Sequence, residues 1–142
     1  MSDLFHAAST EVAVPAKTAF AYLSDGLRQG EWTLGSWNRE QIGDYLFRGT
    51  SLFTGADTFV RITAHPEQLL VDYDVGPALD RMHRLNSARA VPGPLVGRAE
   101  GTCVVVLTRW RLPGEDDVQW RRGCATFDTE IHMIKGRLEL GF

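Results

Sequence analysis

The sequence predicts an α+β domain in which a curved antiparallel sheet of about seven strands wraps around a long C-terminal helix. Three observations carry this expectation. A strand-like segment near the N-terminus runs through a proline directly into a short helical pattern. From Trp37 to Arg111 the chain consists of extended runs separated by turn residues. The last segment sets apolar residues three and four apart, on a single helical stripe.

In Phe5 to Val14 (FHAASTEVAV), Thr10, Val12 and Val14 share one face, the period-two pattern of a strand with one buried side. Pro15 supplies the fixed φ favoured at a helix start, and Ala16 to Leu23 carries Ala19, Phe20 and Leu23 at helical spacing. Ser24-Asp25-Gly26 ends that helix, and Leu27 to Trp32 suggests a second short one. Six further strands are predicted near Trp37–Ile42, Tyr45–Phe53, Thr58–His65, Leu69–Val75, Met82–Val91 and Thr102–Arg111. Gly43-Asp44, Gly55-Ala56-Asp57, Pro66-Glu67, Gly76-Pro77 and the loop Pro92 to Gly101 separate them. Connections this short require antiparallel neighbours, because parallel strands need a long crossover.

Cys124, Phe127, Ile131, Ile134 and Leu138 form the stripe of the final helix, which must cover something apolar. Asp116 with Gln119 three residues on makes a capping box, and Gly141 is placed as the C-terminal stop. The predicted helix spans about 24 residues, against a mean of about 11–12. Gly123 costs about 1 kcal/mol relative to alanine, which predicts a bend or a late start there.

The 142 residues fit one domain over 1–142, with a composition of 44% hydrophobic and 23% charged residues that excludes disordered and fibrous classes. A formal net charge of −3, with 13 scattered arginines and only two lysines, Lys17 and Lys135, offers no field for nucleic acid or an anionic membrane. No apolar run reaches the roughly 20 residues of a membrane span, and Met1-Ser2-Asp3-Leu4 lacks the features of a secretory leader. The expected location is the cytosol. Cys103 and Cys124 do not form a C-x-x-C pair and are read as buried, reduced thiols. With no ligand-like spacing among His6, His65, His83 and His132 either, no metal or cofactor is expected. A homodimer stays open.

Three stretches carry a family likeness. They are Thr10-Glu11-Val12-Ala13-Val14-Pro15-Ala16-Lys17-Thr18-Ala19-Phe20-Ala21-Tyr22-Leu23-Ser24-Asp25 followed by Trp32; Phe59-Val60-Arg61-Ile62-Thr63 leading into Leu70-Val71-Asp72-Tyr73; and Ile134-Lys135-Gly136-Arg137-Leu138-Glu139. With the order of elements, the chain resembles the START-like (SRPBCC) superfamily, of the polyketide cyclase/dehydrase type, over nearly its whole length. The resemblance implies a helix-grip fold with a cavity between sheet and C-terminal helix that accepts lipids, hormones, polyketides or similar apolar compounds. It implies no family-wide catalytic motif. The chain departs from the Rieske-type oxygenase branch, which needs an iron site of two histidines and a carboxylate.

Individual residues each admit two readings. Val71, Tyr73 and Val75 should face inward while Asp72 and Asp74 face water, paired across strands with Arg61 rather than engaged in acid/base work. Tyr73 brings a hydroxyl inward, to orient a ligand or to find a core partner. His83, placed on the face of Leu85 if the alternation holds, is a general base or a strand-end surface histidine. Trp32 and Trp37 flank the loop Thr33 to Ser36, as a gate or as a lid on the core. Phe127 and Ile131, on the inward stripe, are core and pocket wall at once. The predicted ligand site therefore comprises Trp37, Tyr73, His83, Leu85, Phe127 and Ile131. The expected function is binding of a small, largely apolar molecule; the alternatives are a polyketide cyclase or dehydratase-like enzyme and a protein-interaction domain.

Overall fold

In the computed structural model, which describes residues 3–141, the strand-proline-helix opening folds as its pattern requires. Met1, Ser2 and Phe142 lie outside the described residues. Strand β1 (Phe5–Val12) buries Ala8 and Val12 on one face. It ends two residues earlier than predicted, because the Ala13 N–H leaves the ladder and donates to Glu139 Oε2 at 2.8 Å. Helix α1 (Ala16–Ser24) follows Pro15 and buries Ala19 and Leu23. Asp25 then caps a second helix, α2 (Gly26–Gln29), its carboxylate accepting from the Leu27 and Arg28 amides at 3.1 Å.

Six more strands complete one sheet: β2 (Trp37–Gly43), β3 (Leu46–Thr50), β4 (Asp57–His65), β5 (Leu70–Gly76), β6 (His83–Pro92) and β7 (Cys103–Trp110). The sheet order is β1-β7-β6-β5-β4-β3-β2, antiparallel throughout, with β1 and β2 as its open edges. Strand β3 is shorter than the predicted Tyr45–Phe53. The Ser51 hydroxyl accepts from the Phe53 and Thr54 amides, and Gly55 donates to the Ser51 carbonyl, so the chain turns there instead of extending. The loop after β6 contains a short 3₁₀ turn, Gly93–Val96, which the sequence pattern did not suggest.

Helix α3 (Asp117–Leu140) runs unbroken for 24 residues. Its capping box is formed as the sequence predicts, the Asp116 carboxylate accepting from Gln119 N at 2.8 Å and the Gln119 side chain accepting from Asp116 N at 3.0 Å. Gly141, at φ 70°, stops it. No late start occurs at Gly123: a side chain there would run into the Arg109 guanidinium. The glycine is a space requirement, not a break.

The helices lie on the inner face of the sheet, and the core joins Val60 and Ile62 of β4, Val71 and Tyr73 of β5, Ala88 and Ala90 of β6 and Val105 and Leu107 of β7 to Ile131 and Ile134 of α3. Each Val, Leu or Ile side chain buried this fully contributes roughly 1.5–3 kcal/mol. At its C-terminal end α3 is tied to β1, Lys135 Nζ donating to the Glu11 carbonyl at 2.5 Å. Cys103 and Cys124 are free and buried, and burial pushes both thiols up. Among the described residues no helix is long and apolar enough to cross a membrane.

Candidate functional site

Toward the start of α3 the helix and sheet do not close, leaving a cavity of about 520 Å³. Val60, Val75, Leu85, Phe127 and Leu112 form apolar parts of its wall. Much of the remaining lining is polar. Gln29, Ser36, Ser51, Asn86, Arg109 and Glu130 are the buried polar or charged residues among those described, and every one of them lines this cavity. Arg39 joins them from β2.

Strand alternation places Arg109. Cys103, Val105, Leu107 and Arg109 share the inward face of β7, so the guanidinium enters the interior at the strand's end. It is held there by both Glu115 oxygens, at 2.7 and 2.9 Å, and lies over the Trp120 ring at 5.1 Å. Gly123 provides the space for it.

Helical spacing places Glu130. It falls three residues after Phe127 and four before Ile134, within the buried stripe, and is 1% exposed. Its Oε2 accepts from the Leu34 amide at 2.7 Å; no cation of the described residues lies within salt-bridge distance. Burial pushes the carboxyl up to about 8, against the lesser pull of the Leu34 amide and of the Arg39 and Arg109 charges.

Arg39 enters from β2 after Asn38, whose φ of 52° turns the strand at a register shift. Its Nε donates to Ser36 O and Oγ at 3.2 and 3.1 Å, and its Nη1 donates to Gly26 O and to Gln29 Oε1. Burial brings its pKa down to about 10.

Exposed lining residues include Phe53 from the β3–β4 turn and Arg122 of α3, whose guanidinium lies 4.9 Å over the Phe53 ring.

Comparison with solved structures matches this architecture across the chain. A START superfamily protein from Mycobacterium smegmatis superimposes with a TM-score of 0.71 at 13% identity, over 98% of this chain and 99% of its own. The Zhui aromatase/cyclase from Streptomyces sp. R1128 gives 0.61 at 14% identity, over 96% of both chains. The di-domain ARO/CYC BexL of the BE-7585A biosynthetic pathway gives 0.69 at 14% identity, over 96% of this chain and 46% of that one. The fold is START-like. Searches of family models and of curated proteins return no match.

Within this START-like fold, two of the sequence-predicted site residues, Leu85 and Phe127, line the cavity. Ile131 lies one helical turn deeper, packed in the core at 3% exposure. Tyr73 faces inward but belongs to the core. Its hydroxyl donates to the Leu23 carbonyl at 2.5 Å, its ring meets Trp32 edge-on, and burial pushes the phenol far up. Trp32 is wholly buried and Trp37 sits half-buried on β2, and neither is part of the cavity lining, whereas the exposed Phe53 and Arg122 are.

His83, the first residue of β6, stands opposite Val75 of the cavity wall but is exposed and is not itself part of the lining. The alternation expected from His83 to Leu85 holds and breaks only after Leu85: Arg84 pairs with Asp74 and Asn86 with Tyr73, leaving Leu85 as the extra residue of a bulge. Asp72 and Asp74 face outward as expected, but the cation bridging them is Arg84, at 3.2 and 2.6 Å, and not Arg61. His65 and Ser87 complete that surface cluster on Asp72. Among the described residues no group of three or more His, Cys, Asp or Glu side chains is placed to hold a metal.

Glu130, Arg109 and Arg39 were not singled out in the sequence. Signals for the first two were present: Glu130 interrupts an apolar stripe at helical spacing, and Arg109 continues the inward parity of β7. Arg39 had none, because its direction depends on the turn at Asn38.

Proposed function

We propose that this domain binds a small molecule with an apolar body and a polar group, in the cavity between the sheet and α3, in the cytosol. One observation carries the reading: the buried polar side chains among the described residues, which elsewhere in a core would each need a local reason, all converge on a single cavity whose wall also carries Val60, Val75, Leu85, Leu112 and Phe127. The volume of about 520 Å³ suits a ligand of one or a few rings or a medium acyl chain. The fold shared with a START protein and with aromatase/cyclases supports it.

The test is titration of the native protein with N-phenyl-1-naphthylamine, a neutral apolar fluorophore. Saturable binding with one site per chain is expected, along with a rise in melting temperature. Absence of saturable binding overturns the reading.

A second reading, a cyclase or dehydratase-like enzyme, is favoured by one feature. Glu130 is a carboxyl held near neutral pKa on the wall of the same cavity as two guanidinium groups, which suits a proton-transferring group beside donors for a developing oxyanion. Native mass spectrometry of a ligand recovered with the protein separates the two: a ligand that returns unchanged after incubation supports binding, and one converted by wild type but not by Glu130→Gln supports catalysis.

A further inference from the structure

Three side chains on the cavity wall hold polar atoms for which the protein supplies no hydrogen-bond partner: Arg39 Nη2, Arg109 Nε and Glu130 Oε1. Thr33 Oγ1, also on the wall, is a fourth. Buried polar atoms are ordinarily satisfied, so a cluster of unsatisfied ones in one cavity calls for a partner from outside the chain.

The cluster is rich in donors, and its two guanidinium groups differ. Arg109 is neutralised by the bidentate Glu115. The hydrogen-bond partners of Arg39 are all neutral: the Ser36 carbonyl and hydroxyl, the Gly26 carbonyl and the Gln29 amide oxygen. Its charge therefore stands without a paired anion, at a site where burial already disfavours that charge. Glu130, the other charged residue nearby, makes its hydrogen bond to a backbone amide and not to Arg39. Burial favours the neutral form of that carboxyl, which then offers a hydrogen bond instead of a repelling charge.

From this we propose that the polar group of the ligand is an anionic oxygen group of carboxylate type, received by Arg39 with Arg109 and Glu130 on the facing walls. The inference rests on the reading that the cavity holds a ligand. Arg39 enters from β2 and Arg109 from β7, strands with four others between them in the sheet order, so the curvature of the sheet brings both to one cavity. An anion held there engages the edge strand β2 and the distant strand β7 at once. The unsatisfied atoms are covered by protein neighbours, so engagement requires a rotation of each head group toward the cavity. Apolar contacts from Val60, Leu85 and Phe127 then hold the body of the ligand. The ligand class is thus an amphipathic monoanion, such as an acyl or aryl carboxylic acid in its ionised form.

Two matched pairs test this on the whole folded chain. N-phenyl-1-naphthylamine and 8-anilinonaphthalene-1-sulfonate share one aromatic body and differ by an anionic group, while decanoate and decanol do the same for competition. The expected result is binding of the sulfonate at least tenfold tighter than the neutral probe, with decanoate displacing the neutral probe at lower concentration than decanol. Arg39→Gln should remove the preference while leaving affinity for the neutral probe, and Arg39→Lys should restore part of it. Should Arg39→Gln fail to fold, the wild-type ratios decide alone. Equal affinity for the two probes, with decanoate no better a competitor than decanol, overturns the anion while leaving ligand binding intact. If neither probe binds, the cavity reading itself falls.

Discussion

Glu130 gives the molecule a pH dependence whose sign is fixed by its burial. Its folded pKa of about 8 lies above the ordinary 4.5, so between those values the unfolded chain releases a proton that the native state keeps. The contribution of Glu130 to stability is therefore full below about pH 4.5, falls as pH rises, and is lost above about 8. Glu130→Gln keeps an oxygen for the Leu34 amide and cannot ionise. Urea unfolding at pH 5, 7 and 9 should show a flatter profile for the variant and a gain over wild type at pH 9 on the order of a few kcal/mol. Parallel profiles for the two proteins would refute the assignment. At Gly123 the expected effect runs against helix propensity: alanine is better by about 1 kcal/mol in a helix, yet Gly123→Ala should destabilise by about 1–3 kcal/mol through overpacking. Its methyl group meets Arg109, so a raised melting temperature would contradict the packing. The sequence marked Gly123 as odd but could not name its neighbour, since Arg109 reaches it only through tertiary structure. Tyr73 was readable as inward but not as satisfied, because its acceptor is a carbonyl 50 residues away.

Among the elements, α3 was legible because its signals are local: a capping box, a stripe and a terminal glycine all lie within its own 24 residues or beside them. Asp116→Ala should lower stability by about 1 kcal/mol, read by chemical unfolding, through loss of the Gln119 amide's acceptor. Ile131→Asp should leave the protein unfolded or insoluble, since the carboxylate would enter a core without a partner. A wild-type melting temperature for that variant would mean the buried stripe is misplaced. The strands were legible within a few residues wherever turn chemistry bounded them. They were misread at two kinds of place: Ser51 diverts its own backbone from β3, and Leu85 bulges out of β6 because of its register with β5, which no single strand records. That bulge sets both Leu85 and Asn86 against Tyr73 and on the cavity wall, while His83, at the start of the strand, is exposed.

For the whole molecule, the fold could be read from the order of elements, whereas the cavity could not, because it draws on α2, six of the strands, the β7–α3 loop and α3, or on turns adjoining them. The resemblance implied an apolar space, and half of its character, the buried polar floor, emerges only when those segments meet. Occupancy should be visible globally: a ligand confined to the native state stabilises it by about 2.7 kcal/mol at a hundredfold excess over Kd. Differential scanning calorimetry with N-phenyl-1-naphthylamine measures this, and a melting temperature that ignores probe concentration would refute it. Phe127→Ala should lower stability by roughly 3–5 kcal/mol and admit a bulkier probe, distinguishable from simple damage by the change in selectivity. One further consequence follows from the pairing of Phe5 with Trp110 across β1 and β7. As the chain leaves the ribosome, its first strand has no ladder to join until β7 has been made, and β6 offers an open edge until then. Between the synthesis of β1 and that of β7, the apolar faces of β1 and α1 lack the sheet partners that cover them in the fold, an interval in which the nascent chain is open to association with its neighbours.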